Sequence, residues 1–190
     1  MAKLILGFVG QAGCGKGTAA DLLREKYHAG YYRFSAILGK MLEVLAVEKT
    51  RDNLIKISED ARKLFGEDVL SYAIAKDAVN DPHDIIVIDG IRRIEDIVAL
   101  EPLPQFKLIA IDVPAKLRFE RLKDRGEKTN ETNMTWEQFQ EEENRSTEVT
   151  IPAVMQRAWR TISNAGTKEE FEAEVHEMMK ELGFVMSNVS

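Results

Sequence analysis

The sequence predicts an α/β fold in which a parallel β-sheet carries helices on both faces. Short apolar runs alternate along the chain with longer stretches of helical periodicity, a pattern typical of strands joined by helical crossovers. The run 85–88 is apolar without alternation, as expected of a central strand that is buried on both faces. The apolar run 4–9 leads directly into a glycine-rich turn and then a helix-forming segment.

Each element follows from a local pattern of residue type. Clusters of β-branched, aromatic and other apolar residues predict strands at 4–9, 31–34, 85–88, 106–113 and 159–163. Apolar residues at helical spacing predict helices at 17–27, 35–45, 51–65, 67–79, from just after residue 90 to about 100, 115–125, 135–145, after residue 152, and 167–182. Ser35 is the expected N-cap of its helix, and Thr135 and Thr167 each begin a capping box.

Length and composition favour one globular domain over residues 1–190. Hydrophobic residues make up 44% of the 190 residues and charged residues 31%, which excludes a disordered chain. The net charge of -6 argues against a nonspecific nucleic-acid or membrane-surface binder. No apolar run reaches membrane-spanning length, no signal peptide precedes the first strand, and a single cysteine allows no internal disulfide. We therefore expect a cytoplasmic protein.

The segment Gly10–Thr18 has the features of a phosphate-binding P-loop. Gly10, Gly15 and Lys16 satisfy the pattern G-x-x-x-x-G-K between a strand and a helix. Glycines let backbone N–H groups turn inward around an anion, and the following helix start stabilises negative charge. The hydroxyl residue that usually follows the lysine is displaced by one residue, to Thr18. The alternative to a P-loop is a glycine-rich hairpin without a ligand. The candidate nucleotide-binding residues here are Gly10, Gly13, Cys14, Gly15, Lys16, Gly17 and Thr18.

Asp89 ends the apolar strand 85–88, and Arg92 and Arg93 follow it. Since Mg²⁺ prefers oxygen ligands and keeps several waters, one carboxylate at a strand end near a P-loop is a candidate metal partner, together with Thr18. A helix N-cap is the alternative role for Asp89. Arginines at a helix start are disfavoured by the helix dipole, so Arg92 and Arg93 favour an anion-binding interpretation over a solvated helix start.

These motifs resemble those of adenylate kinases and other P-loop nucleoside monophosphate kinases, with a further likeness to dephospho-CoA kinases. The Gly-Lys-Gly-Thr sequence at 15–18 is similar to their P-loop, and 88–93 looks like the segment whose arginine holds the acceptor phosphate. Residues 121–126 carry the Arg-x-x-x-Arg spacing that opens the lid in those kinases. The resemblance implies a mobile lid over about 121–146 and roles in ATP binding or catalysis for Lys16, Arg93, Arg121, Arg125, Arg145, Asn164 and Gly166.

The acceptor-binding segment implied by the resemblance covers about 34–80. Its match to those kinases is weak, so the acceptor candidates rest on charge and position: Ser35, Arg51, Arg62, Arg92 and Arg93. Dephospho-CoA kinases carry an aspartate just after the second strand, and the segment 33–36 has no carboxylate. This difference favours a phosphate acceptor, which needs no general base, over a sugar hydroxyl, which benefits from one.

The sequence therefore predicts an ATP- and Mg²⁺-dependent transfer of the γ-phosphoryl group to a nucleoside monophosphate. A dephospho-CoA kinase acting on a sugar hydroxyl, with Asp89 as a possible base, is one alternative. A P-loop ATPase or nucleotide switch without a small-molecule acceptor is another, although a switch has less use for the additional arginines. The expected partner is a small-molecule nucleotide, with no nucleic acid and no membrane, and the expected state is a monomer or homodimer.

Overall fold

The computed structural model describes residues 2–125, 134–144 and 148–186, with only the backbone given at residue 125. Five strands form the sheet: β1 (Leu4–Val9), β2 (Gly30–Arg33), β3 (Ile85–Ile91), β4 (Phe106–Asp112) and β5 (Arg160–Ser163). The helices are α1 (Lys16–Tyr27), α2 (Phe34–Val44), α3 (Arg51–Phe65), α4 (Val69–Asn80), α5 (Ala115–Arg125), α6 (Trp136–Glu143), α7 (Ile151–Met155) and α8 (Lys168–Glu181).

All five strands are parallel, in the order β2-β3-β1-β4-β5. The central strand β1 pairs with β3 through Leu4 and Ile85 and with β4 through Ile5 and Phe106. The predicted parallel α/β architecture is therefore confirmed. Because all carboxyl ends lie at one edge of such a sheet, the loops after β1, β3 and β4 meet there.

Two apolar cores cover the two faces of the sheet. On one face, Leu6 and Phe8 pack with buried residues of α1 and α8. On the other face, Ile5 and Val9 pack with residues from α2, α4 and α7. Alternate residues of β1 therefore point to opposite cores, which explains why this strand is apolar throughout.

The predicted helix from just after residue 90 to about residue 100 is wrong. The described chain has only a short 3-10 helix there, Ile94–Asp96, followed by turns. Side chains replace the helical hydrogen bonds: the Asp96 carboxylate accepts from the backbone N–H groups of Arg92 and Arg93, and Ser71 Oγ accepts from Ala99 N–H. Ile91, Ile97 and Leu100 are buried here without helical order, whereas Val98 is exposed.

The predicted cap at Ser35 is also wrong. Helix α2 begins at Phe34, so Ser35 lies inside its first turn, and Arg33 at the cap position makes no side-chain capping bond. The predicted start at 67 is replaced by α4 from Val69, and α6 ends at Glu143 rather than at 145. Both predicted capping boxes, at Thr135 and Thr167, are present. Among the described residues, no helix combines the length and hydropathy needed to cross a bilayer.

Candidate functional site

The P-loop connects β1 to α1 and is held in shape by its glycines. Gly13 and Gly15 have φ angles of +80° and +101°, in the left-handed region that side chains rarely adopt. A Cβ at Gly15 would lie 2.2 Å from Asn164 Nδ2, and one at Gly13 would lie 2.8 Å from the Arg118 carbonyl oxygen. Glycine is required at both positions by backbone conformation and by close packing.

Lys16 is the first residue of α1, and its side chain folds back over the loop that precedes it. Its Nζ donates to the carbonyl oxygens of Gly10, at 2.5 Å, and Gln11, at 3.3 Å. Cys14 Sγ lies 3.5 Å from the same Nζ, and its side chain is buried in the core beneath α1. The ammonium group is therefore already located inside the curve of the loop.

Two side chains from other elements brace the P-loop. Asn164, just after β5, donates from Nδ2 to the Cys14 carbonyl oxygen at 2.9 Å. Arg118 in α5, only 3% exposed, donates to the carbonyl oxygens of Val113, at 3.0 Å, and Ala12, at 3.4 Å. No role for Arg118 is predicted from the sequence, although its position three residues before Arg121 puts both on neighbouring turns of one helix face.

Helix α6 reaches the same loop through Glu143. Its Oε1 lies 2.6 Å from Arg118 Nη1 and accepts from Gln11 Nε2 at 2.9 Å. The Arg118 guanidinium also lies over the Phe139 ring, 5.4 Å from its centroid. These contacts join α6, α5 and the P-loop, and sequence reasoning identifies none of them because they depend on tertiary approach.

A pocket of about 520 Å³ opens between α1, α5 and α8, on the outer side of the P-loop. Three predicted nucleotide-binding residues, Thr18, Arg121 and Asn164, line it together. Arg121 Nη1 is buried and has no hydrogen-bond partner in the part of the chain that the structure describes. A buried guanidinium nitrogen without a partner is costly, so this atom is suited to an acceptor on a ligand. The complete lining is Thr18, Asp21, Leu22, Glu25, Arg121, Asn164, Lys168, Phe171 and Glu172.

Asp89 lies near the carboxyl end of β3, beside β1, and is 6% exposed. Its Oδ1 accepts from the Gly90 N–H at 2.7 Å and its Oδ2 from the Tyr31 hydroxyl at 3.0 Å, with Arg33 Nε at 3.6 Å. Burial raises the pKa of Tyr31 well above its ordinary value, and the negative charge and hydrogen bond of Asp89 add to this. Tyr31 is thus held as a neutral donor.

Thr18 and Asp89 are the two predicted metal partners, and the structure does not bring them to one pocket. Thr18 lines the 520 Å³ pocket, and Asp89 does not. Gly90, next to Asp89, lines the larger cavity on the other side of the P-loop. No group of three or more His, Cys, Asp or Glu side chains arranged to hold a metal occurs among the described residues.

The larger cavity, of about 750 Å³, lies between the P-loop, α2, α3, the turn after β3, and α6. All five predicted acceptor residues line it: Ser35, Arg51, Arg62, Arg92 and Arg93. Arg33, which sequence reasoning missed, lines it as well. The feature that could have identified Arg33 as a site residue is its place at the end of β2, where it lies in register with Asp89 of β3. Ala12 brings the P-loop itself to the wall of this cavity.

Several of these arginines contact carboxylates. Arg51 Nη1 lies 3.4 Å from Glu142 Oε2, and Arg93 Nη1 lies 3.8 Å from Glu67 Oε2. Arg92 pairs with Glu148, which is 8% exposed. In each of the three pairs the arginine and the carboxylate lie on different segments of the chain, so the pairs connect segments around the cavity.

Arg62 has a different environment from the one predicted for it. It is 5% exposed, and its Nη2 lies 2.5 Å from Asp96 Oδ1 in a buried ion pair. Its other donors are directed to the Glu67 carbonyl oxygen and, at 3.5 Å, to Ser58 Oγ. With its guanidinium engaged by protein acceptors, Arg62 is a structural residue of the cavity wall rather than an exposed phosphate grip.

Other predicted site residues are not placed at the two cavities. Arg145 and the part of the predicted lid at 126–133 lie outside the described residues, and so does the side chain of Arg125. Gly166 is exposed and lines neither cavity. Gly17 has open space around its Cβ direction, on the first turn of α1.

Comparison with known proteins gives the family. A family model described as an AAA domain matches residues 9–140, more than half of the chain. A UPF0200 protein from Sulfurisphaera tokodaii is 31% identical over 180 residues, which cover 94% of this chain and 97% of the relative. The chain belongs to the UPF0200 family and contains an AAA domain. A UPF0200 protein from Hyperthermus butylicus is 26% identical over 95% of both chains.

The UPF0200 chain also resembles solved structures over nearly its whole length. TT1252 from Thermus thermophilus has a TM-score of 0.66 and 17% identity, covering 96% of this chain and 99% of its own. Shikimate kinase from Bacteroides thetaiotaomicron has a TM-score of 0.59 and 13% identity, covering 95% and 99%. At such identities the likeness shows the shared fold alone.

Proposed function

We propose that this UPF0200 family member is an ATP-dependent kinase that transfers the γ-phosphoryl group to a nucleoside monophosphate. The observation that carries the proposal is the convergence of Arg33, Arg51, Arg92 and Arg93 on one cavity that has the P-loop in its wall. An ATPase or switch needs one phosphate-binding site, whereas a kinase needs a second site for its acceptor. Phosphoryl transfer depends mainly on positioning and charge neutralisation, which arginines and a P-loop supply.

The 520 Å³ pocket is the proposed site of the ATP base and ribose. Arg121 offers a buried donor without a partner, and Asn164 joins the pocket to the P-loop through its bond to Cys14. The phosphates would lie on the P-loop, where Lys16 exchanges its bonds with loop carbonyls for bonds with phosphate oxygens. The roles proposed for Arg125, Arg145, Gly17 and Gly166 rest on the sequence resemblance.

Asp89 is suited to magnesium through water. Each of its oxygens accepts one hydrogen bond and retains lone pairs, and it lies at the strand end beside the P-loop. Mg²⁺ bound to nucleotide phosphates needs only one or two protein oxygens, so one carboxylate is enough. Bound Mg²⁺ would neutralise phosphate charge, while the contacts of Tyr31 and Arg33 orient the Asp89 carboxyl group.

The 750 Å³ cavity is the proposed acceptor site. An acceptor phosphate can take the place of a carboxylate beside Arg51 or Arg93, whose ion-pair distances of 3.4 Å and 3.8 Å are long. The apolar part of the wall, including Phe34, Leu38 and Leu54, suits the flat base of a nucleotide. Charge recognition and an apolar wall together fit a nucleoside monophosphate.

A hydroxyl acceptor is the second candidate, and one observation favours it. Carboxylates also line the cavity, among them Glu59, which is exposed there and has no hydrogen bond or ion pair among the described residues. A carboxylate near an acceptor hydroxyl can act as general base. Shikimate kinases, which share the fold, are named for an acceptor of this kind.

The test is ADP formation from Mg-ATP with a panel of acceptors. The panel contains ribo- and deoxyribonucleoside monophosphates, dephospho-CoA, shikimate, and no acceptor. We expect one or a few monophosphates to raise turnover strongly. A rise only with dephospho-CoA or shikimate would support the hydroxyl candidate, and turnover that ignores all acceptors would contradict both.

Two arginine variants connect that result to the cavity. Arg93→Met should raise the acceptor KM by about tenfold or more, since a charged hydrogen bond to phosphate is lost. Arg157→Met is the matched control, because Arg157 forms an exposed ion pair with Glu101 and lines neither cavity. An unchanged acceptor KM in Arg93→Met would remove Arg93 from the acceptor site.

A further inference from the structure

The Asp96 carboxylate connects two walls of the larger cavity. Its Oδ1 pairs with Arg62 of α3 at 2.5 Å, and its Oδ2 accepts from the backbone N–H groups of Arg92, at 2.8 Å, and Arg93, at 3.0 Å. At 3% exposure, Asp96 is among the most buried charged residues of the described chain. One carboxylate oxygen of Asp96 therefore bonds to α3, and the other bonds to the turn after β3.

The turn that carries Arg92 and Arg93 is also held by side chains from other parts of the chain. Thr150 Oγ1 donates to the Arg92 carbonyl oxygen at 2.7 Å, and Ser71 Oγ accepts from the Ala99 N–H further along. Strand β3 ends at Ile91 and the short 3-10 helix begins at Ile94, so Arg92 and Arg93 lie between two regular elements. The side chains of Arg92 and Arg93 pair with Glu148 and Glu67, and their backbone N–H groups are placed by Asp96.

On the other side, Arg62 fixes the position of α3 relative to this turn. It lies near the carboxyl end of α3, and its guanidinium also bonds to the Glu67 carbonyl oxygen in the following loop. The same helix brings Arg51 to the cavity at its first residue. A buried, multiply bonded ion pair costs much to break, so it holds both elements in one register.

We propose that Asp96 and Arg62 are positioning residues that set the spacing between α3 and the Arg92–Arg93 turn for acceptor binding. This inference rests on the proposed function of the larger cavity. Neither residue would touch ATP, because neither lines the 520 Å³ pocket. Their removal should therefore change acceptor binding and leave ATP binding as it was.

Three variants separate the ion pair of Asp96 with Arg62 from the bonds of Asp96 to the turn. Asp96→Ala removes the ion pair and both backbone bonds, and should raise the acceptor KM by about tenfold or more. Asp96→Asn keeps an oxygen that can accept from the turn, so its effect should be smaller. Arg62→Lys retains the charge but not the planar fork, and should also lie between wild type and Asp96→Ala. The control is Glu101→Gln, which breaks an exposed ion pair with Arg157.

The measurements are the acceptor KM, the Kd for ATP, and amide hydrogen exchange of Arg92 and Arg93. We expect a higher acceptor KM, an ATP Kd within about twofold of wild type, and faster exchange at both amides in Asp96→Ala. An unchanged acceptor KM, or equal losses for ATP and acceptor, would overturn the proposal. If Asp96→Ala does not fold, Asp96→Asn and Arg62→Lys give the same comparison.

Failure of the proposed function has a different signature. In that case the wild-type protein transfers phosphate to no acceptor, whatever the variants do. The exchange rates then still decide the structural part, because slow exchange retained at Arg92 and Arg93 in Asp96→Ala would show that Asp96 does not hold the turn.

Discussion

Gly15 and Gly17 are two residues apart, and the structure places very different demands on them. A side chain at Gly15 meets Asn164 and needs an unfavourable φ of +101°, whereas a side chain at Gly17 meets nothing within 4 Å. We expect Gly15→Ala to lower the free energy of unfolding by about 2 kcal/mol or more, through strain and steric overlap. Gly17→Ala should be neutral or stabilising by up to about 1 kcal/mol, because alanine favours a helix.

Urea denaturation of the two alanine variants measures this difference directly. Both variants remove the same glycine hydrogen, so the comparison isolates backbone conformation and packing. Equal stability of Gly15→Ala and Gly17→Ala would contradict the geometry described for the P-loop.

Lys16 supplies the positive charge within the curve of the P-loop. Since its Nζ bonds, among the described residues, only to atoms of the loop itself, removing it should cost binding of ATP phosphates more than stability. We expect Lys16→Ala to weaken ATP binding by at least about tenfold, the loss of a charged hydrogen bond. Calorimetric titration with ATP checks this, with the exposed Lys26→Ala on the same helix as the control. Unchanged affinity would show that the loop is not a nucleotide site.

At the level of elements, α6 is held to the P-loop by one carboxylate. Glu143 is shared by Arg118 and Gln11, and Arg118 is buried. Glu143→Gln leaves a buried guanidinium without its ionic partner, so we expect a loss of about 2 kcal/mol in the free energy of unfolding. Glu141→Gln, on the exposed side of α6, should change it by less than about 0.5 kcal/mol. Chemical denaturation of both variants gives the comparison, and equal losses would contradict the clamp.

A second connection between elements lies at the opposite edge of the sheet. Asp81 accepts from the Tyr32 hydroxyl at 2.6 Å and from the His83 backbone N–H at 2.8 Å, so it joins β2 to the loop before β3. Burial raises the pKa of Asp81, but these bonds outweigh it and hold the pKa below its ordinary value. Burial and the Asp81 hydrogen bond also raise the pKa of Tyr32 to about 12.

The pKa shift of Asp81 makes stability depend on pH. A carboxyl group whose pKa is lower in the folded state stabilises the fold above its unfolded pKa, near 4, and loses that contribution as pH falls through its folded pKa. We expect Asp81→Asn to be less stable than wild type at pH 7, with the difference shrinking below about pH 4. Thermal unfolding at several pH values tests this. A difference that stays constant from pH 7 to pH 3 would contradict it.

The element pattern shows what a sequence can and cannot reveal. Strands such as 85–88 and helices such as 51–65 were predictable because local periodicity and caps such as Thr50 determine them. The structure of the segment after Gly90 was not predictable, because side chains satisfy its backbone donors. Asp96 accepts from Arg92, which precedes it, and Ser71, far away in the chain, accepts from Ala99. The same limit applies to Arg62, whose burial depends on the approach of Asp96.

The site follows the same division. The P-loop was predictable because its glycines and Lys16 are contiguous in sequence. Ser35, Arg51 and Arg93 were predictable as acceptor candidates from charge and position, but their meeting at one cavity depends on the fold. The partners of those arginines were not, because pairs such as Arg51 with Glu142 join residues far apart in the chain.

For the whole molecule, the parallel sheet explains why the two cavities share the P-loop. The loops after β1, β3 and β4 emerge at one edge, with the 520 Å³ pocket on the α1 and α8 side and the larger cavity on the α2 and α3 side. The chain has a net charge of -6, yet arginines gather at the larger cavity. In the proposed function, this arrangement provides two anion sites at one sheet edge, as phosphoryl transfer requires.

The central claim is that the phosphoryl group passes from one cavity to the other. The most direct test follows the label of ATP carrying ³²P at the γ-phosphate, with the monophosphate that most raises turnover as acceptor. We predict that the label appears in the nucleoside diphosphate formed from that acceptor, with little in inorganic phosphate. Label found only in inorganic phosphate, with every monophosphate unchanged, would contradict the account and make the protein an ATPase.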